Sequence, residues 1–185
     1  MNLNWQNDRE YLMLVEDLLD HSQVKRLETF VHHHVTNRLA HCISVSYLSY
    51  QWAFRLGLDE RAAARAALLH DLFFYKSEDK HKVRGRGHNY EHPRIALKNA
   101  ELITRLSHVE RDIIIKHMCG ATFDIPKYPE SWIVTLMDKQ SAIMEVTVGY
   151  KRIAAERVYE STKKLITQFG PAELKAAKFR STVPK

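Results

Sequence analysis

Glycine and proline are scarce in this chain, with 6 and 5 among 185 residues. A collagenous, low-complexity or turn-dense all-β chain needs more of both, so a packed helical protein is favoured. Only two cysteines are present, Cys42 and Cys119, and no CxxC pair, which excludes a disulfide scaffold or a thiolate zinc knuckle. They read as reduced thiols of a cytoplasmic protein. No apolar run approaches the roughly 18 residues that span a bilayer. The first residues, MNLNWQNDREYL, are polar and acidic and do not read as a secretory leader. Acids are outnumbered: 28 Lys and Arg against 22 Asp and Glu give a net charge of +6 with histidine neutral. That balance favours anionic ligands without naming one.

With 45% hydrophobic residues, the chain has enough apolar material for one domain over residues 1–185. REYLMLVEDLLDHS and VKRLETFVHHHV are expected to form two helices. A third, from Asn37 to about Leu56, carries His41, Val45, Leu48 and Trp52 on one face. Gly57 ends it. The fourth is DERAAARAALLHDLFFY, with Asp59 as N-cap and alanines that permit close backbone approach. Residues from Lys76 to about Glu91 lack apolar periodicity and form a long connection. Helices resume at HPRIALKNAELITRL, with Pro93 in the first turn, then at HVERDIIIKHM and PESWIVTLMDKQSAIMEV. YKRIAAERVYESTKKLITQFG reads as a last, charged amphipathic helix.

Against this frame stands an order of ionisable residues, H…HD…H…H…D. His41 is followed by His70-Asp71, His92, His117 and Asp138. Each falls on or beside a core-facing stripe of a separate helix. Asp138, preceded by WIVTLM, needs a positive partner, because a bare buried carboxylate is very costly. A metal site built from several helices answers that need, with ligands enough for two ions.

These residues resemble the HD superfamily of metal-dependent phosphohydrolases over about residues 38–145. The minimal signature falls on His41, His70-Asp71 and Asp138. The HPxxA form at His92 and the IIxxH form at His117 resemble the additional histidines of two-metal members. The resemblance implies an all-α, single-domain bundle of HD type with a central metal site. It implies one ion held by His41, His70, Asp71 and Asp138. Asp71 then bridges to a second held by His92 and His117, and orients the attacking water. Imidazole and carboxylate ligands suit divalent Fe, Mn, Co, Ni or Zn. The doubled histidine and the GYP triplet of the HD-GYP phosphodiesterases are missing from KHMCG, which argues against a cyclic-dinucleotide substrate. His88, four residues before His92, competes with it as ligand; the following Pro93 and helix favour His92. His32, His33 and His34 read as a solvated helix surface.

Substrate contacts are less sharply marked. Arg38 stands one turn before His41 and either binds phosphate or pairs with a surface acid. Lys76 and Lys139 each follow a ligand closely. Lys80, Lys82, Arg84 and Arg86 stud the long connection, as a solvated surface or as a basic lid over an anion. The expected reaction is hydrolysis of a phosphate ester or anhydride of a nucleotide or small phosphorylated metabolite by metal-activated water. The alternatives are a diiron oxygenase resembling myo-inositol oxygenase, and a non-catalytic nucleotide-binding HD protein. Neither a membrane nor nucleic acid is an expected partner.

Overall fold

The computed structural model describes residues 3–32, 36–83 and 85–147, with isolated helical positions at Arg157 and Glu160. The chain divides into two compact units, Met1–Val146 and Thr147–Lys185. The last amphipathic helix expected from the sequence lies outside the described residues.

The first unit is all-α. Its helices are α1 (Arg9–Leu19), α2 (Ser22–Lys25), α3 (Arg38–Arg55), α4 (Glu60–Leu69), α5 (His88–Ile103) and α6 (His108–Lys116), followed by α7 over residues 129–147. The only strands among the described residues are Val31–His32 and Thr36–Asn37, which pair as a two-residue antiparallel ribbon. That ribbon corrects the second expected helix. The described part of VKRLETFVHHHV, residues 24–32, forms the end of α2, a 3-10 turn at Arg26–Thr29 and the strand Val31–His32. Beta-branched Val31 and Thr36 suit an extended backbone and weaken a helix there.

α4 is the central element. Ala62, Ala63, Ala64, Ala66 and Ala67 are all buried, and their small side chains let neighbouring helices approach closely. Their neighbours in the core include Tyr11, Val15, Leu18, Val45, Leu68, Leu69, Ile113, Ile114 and Val134. Polar ties join the layers. Tyr11 donates to Ser46 Oγ at 2.9 Å, and Ser46 donates to the Ala64 carbonyl at 2.7 Å. Arg65, buried on α4, reaches Asp17 of α1 at 2.5 Å and Glu110 of α6 at 3.8 Å.

Caps set most boundaries. Asn37 accepts from Ala40 N, Asp59 from Ala62 N, and Ser107 with Glu110 forms a full capping box. Gly57, at φ +65°, turns the chain between α3 and α4. Two boundaries differ from expectation. α4 ends at Leu69, because FFY leaves it as extended chain. α5 starts at His88, so Pro93 lies inside it and leaves one ladder bond unmade. Trp52, expected in the core, is 44% exposed near the solvent end of α3.

Candidate metal centre

Six side chains converge inside this bundle. His41 projects from the first turns of α3, His92 from α5 and Asp138 from α7; His70 and His117 cap the ends of α4 and α6. Asp71 follows His70 on a tightened turn, where Leu72 N bonds Leu69 O at 3.1 Å and Phe73 N bonds Asp71 O at 2.8 Å. Carbonyls of the chain that leaves α4 are caught by side chains. Asn99 Nδ2 donates to Leu72 O at 2.8 Å, and Arg38 donates to Phe73 O at 2.6 Å and Tyr75 O at 3.1 Å. The turn bearing the His-Asp pair is thereby fixed from α5 and α3.

Three of the imidazoles share one tautomer. His70 Nδ1 meets Ala67 O at 2.6 Å, His92 Nδ1 meets His88 O at 2.8 Å, and His117 Nδ1 meets Ile114 O at 2.8 Å. A carbonyl can only accept, so each Nδ1 carries a proton, and Nε2 is the atom left to present a lone pair whenever the ring is neutral. The Nε2 atoms point inward. His92 and His117 bring theirs to 2.9 Å of each other. Both lie near Asp71 Oδ1, at 3.3 Å and 3.8 Å. His70 Nε2 is buried without a hydrogen-bond partner, 3.6 Å from Asp138 Oδ1. His41 Nε2 meets the same carboxylate oxygen at 3.0 Å.

Three overlapping groups have donor atoms within 4.8 Å of one another: His41, His70 and Asp71; His70, His117 and Asp138; and Asp71, His92 and His117. Asp71 belongs to two of them. A divalent cation fits this donor set. It would satisfy the orphaned His70 Nε2, separate the two facing lone pairs and neutralise the buried Asp71 and half-buried Asp138 carboxylates.

The electrostatics agree. Burial would raise Asp71 and Asp138, yet the neighbouring imidazoles hold both well below the usual carboxylate range. Burial would lower His41, but hydrogen bonds to Asp138 and Glu145 raise it to about 10. Burial would lower His70 too, but the charge of Asp71 together with its contacts to Cys42 and Asp138 raises it well above its ordinary value. His117 goes the other way, to about 3, through burial and the charges of His70 and His92. Without an ion, protons on His41 and His70 supply the positive charge that these carboxylates demand. A metal bound there would take over that role and release them.

Two participants escaped the sequence reading. Glu145 Oε1 lies 2.9 Å from His41 Nδ1, forming a carboxylate–histidine pair behind a candidate ligand. Its signal was present, since Glu145 lies seven residues, or two turns, after Asp138 on α7. Tyr75 OH bonds His88 Nδ1 at 2.8 Å, and the His88 ring stacks on His92 at 4.4 Å. His88 thus stands beside the cluster while His92 enters it, and none of the three groups contains His88.

The described residues among the expected substrate contacts have different surroundings. Arg38 is 1% exposed; its guanidinium lies 3.7 Å from the Phe73 ring centroid and serves backbone carbonyls. Lys139 Nζ donates to Cys119 O at 2.7 Å. Lys76 is exposed and Lys80 half-buried, along or beside a 3-10 helix at Ser77–Lys82. Arg86 is exposed, its guanidinium 4.1 Å from the Tyr90 ring centroid. The side chains of Lys82 and Arg84 lie outside the described residues.

Residues 38–143, more than half of the chain, match the HD domain. The chain belongs to the HD-domain family. That superfamily consists mostly of metal-dependent phosphohydrolases, and its domains bind divalent metals. Two relatives are named ribonuclease Y. The Lactobacillus gasseri protein is 31% identical over 131 residues, which is 71% of this chain and 22% of that protein. The Lactobacillus helveticus protein is 32% identical over 120 residues, 65% of this chain and 19% of that protein. The chain therefore spans about a fifth of these relatives' length. No solved structure matches it. Among the described residues, no helix is long and apolar enough to cross a membrane.

Proposed function

We propose that this HD-domain chain hydrolyses a phosphate ester or anhydride of a nucleotide or small phosphorylated metabolite. The observation that carries the reading is the buried cluster of inward Nε2 lone pairs around the shared Asp71 carboxylate. We assign His41, His70, Asp71 and Asp138 to one divalent ion, and Asp71, His92 and His117 to a second. Bound there, two ions would supply Lewis acidity and an activated water at neutral pH. Divalent Fe, Mn, Co, Ni or Zn suits this thiolate-free set.

The side chains have separate duties. Asp71 orients the attacking water between the two ligand groups. The backbone carbonyls of Ala67, His88 and Ile114 accept from Nδ1 of three imidazoles and so turn each Nε2 toward the cluster. Glu145 holds His41 in register. Exposed cations beside the cluster, Arg86 among them, draw in an anionic substrate. We place the whole activity in the unit Met1–Val146, where every assigned residue lies.

Similarity to proteins named ribonuclease Y supports a second reading, an RNA phosphodiester as substrate. The bond attacked is of the same kind. Metal analysis of chelator-free protein, followed by a phosphate-release screen over nucleotides and sugar phosphates and a chain-cleavage assay on short RNA, tests both. About two ions per chain and metal-dependent turnover are expected. A folded protein that takes up no ion under supplementation and turns over none of these compounds ends the proposal.

A further inference from the structure

A cavity of about 480 Å³ opens between the start of α5 and the loop after α6. Its walls include Arg86, His88, Asn89 and Tyr90 on one side and Phe123 and Asp124 on the other. His88 is the wall it shares with the metal cluster, since that ring stacks on His92 at 4.4 Å. Gly87, at φ +91°, turns the chain into α5 and sets His88 one turn before His92.

The lining has a specific chemistry. Phe123 is 100% exposed, a whole phenyl ring with no packing role in the fold. Opposite it, the Tyr90 ring has the guanidinium of Arg86 at 4.1 Å and that of Arg94 at 3.3 Å. Arg94 also donates to Tyr90 O at 2.6 Å and to Asp124 Oδ2 at 3.1 Å, which ties the two walls together. Among the described residues Arg86 makes no ion pair. Asn89 and Asp124 add amide and carboxylate edges. A flat aromatic wall, hydrogen-bonding edges and a cation beside a phosphate-directed metal cluster together match a nucleobase joined to a phosphate.

We propose that this cleft holds the base of a mononucleotide whose phosphate lies on the His/Asp cluster, with Phe123 as the stacking surface. This rests on the phosphohydrolase reading and narrows its substrate class from a nucleotide or small phosphorylated metabolite to a mononucleotide. A sugar phosphate would have no use for the phenyl wall.

The test compares probes with and without a base. The full chain, loaded with Mn²⁺, is titrated calorimetrically with the four ribonucleoside 5′-monophosphates and with ribose 5-phosphate. At least one nucleotide should bind about tenfold more tightly than ribose 5-phosphate, the scale of one base–aromatic stack. Phe123→Ala should remove that advantage and leave ribose 5-phosphate affinity unchanged; Phe123→Trp should restore it. Since the ring is exposed, neither change should unfold the protein. Equal binding of all probes by the unsubstituted protein, or an equal loss for all in Phe123→Ala, overturns the cleft assignment and leaves the hydrolase reading standing. A short oligoribonucleotide that binds through Phe123 where no mononucleotide binds overturns the mononucleotide assignment. Binding of no probe, with no phosphate released from any, removes the hydrolase reading and the cleft assignment together.

Discussion

The Nε2 atoms of His92 and His117 face each other at 2.9 Å, on rings whose Nδ1 atoms are committed to the carbonyls of His88 and Ile114. Two neutral imidazoles in that tautomer repel each other, so the geometry calls for a proton or a cation between them. Burial pushes His117 down to about 3, which disfavours a second proton on that ring, and a bound ion would meet both lone pairs.

Ligand deletions should therefore separate the two assigned ions. His92→Ala and His117→Ala should each lose one ion and keep the helical fold. Asp71→Ala should lose most of both ions and all measurable turnover, because one carboxylate serves both groups. Elemental analysis beside circular dichroism reads this directly. Full metal stoichiometry in Asp71→Ala would rule out the shared role.

Glu145 offers a test that keeps every assigned ligand. Glu145→Gln retains an acceptor oxygen for His41 Nδ1 but loses the charge that makes the imidazole more basic. Outer partners of this kind are worth about 10–100-fold in metal affinity. A competition titration with a chromogenic chelator should show a shift of that size at unchanged Tm. Unaltered affinity would make Glu145 a bystander.

Arg38 is separable in the opposite way. Its contacts with the Phe73 and Tyr75 carbonyls make it a structural tie beneath the His-Asp turn. Arg38→Met keeps much of the stem and strands two acceptors, which should cost about 2–4 kcal/mol. The thermal midpoint should fall by roughly 10 °C. If the guanidinium bound phosphate instead, KM would rise at constant Tm.

Much of this was legible in the residue order because the signals were periodic. His41 shares a stripe with buried Val45, and Asp138 shares one with buried Val134 and Ser141. Such spacing survives folding, so helices α3, α6 and α7 and the convergence of His41, His117 and Asp138 could be read directly. Arg38 could not, since no spacing shows that a guanidinium will meet carbonyls 35 and 37 residues away. Nor could the cleft, whose walls come from residues 86–90 and 121–124 and meet only through tertiary packing. The start of α5 was missed because Pro93 reads as a first-turn residue, whereas here the helix tolerates it in the interior. VKRLETFVHHHV misled because its spacing fits a helix, while the backbone bonding of the Phe30 carbonyl to Arg38 N at 2.8 Å is non-local.

The last prediction concerns acid. Asp112, buried on α6, accepts from Lys127 N at 2.9 Å and Ser131 Oγ at 2.8 Å, and pairs with Lys116 at 2.5 Å. These contacts pin the segment between α6 and α7, which positions His117 and Asp138. Burial would raise the carboxyl, but Lys116 and the donors from Lys127 and Ser131 hold it below its ordinary value. A carboxyl depressed in the folded state contributes stability above its unfolded value, near pH 4, and loses it as pH falls further. Asp112→Asn keeps an acceptor for the two neutral donors and removes the charge. It should cost about 1–2 kcal/mol at pH 7. Toward pH 3 the gap should close, because the native carboxyl is then being protonated. Urea midpoints of both proteins between pH 7 and pH 2.5 measure it, and the other acids cancel in the difference. A gap that stays constant across that range would mean that the Asp112 charge does not hold this segment.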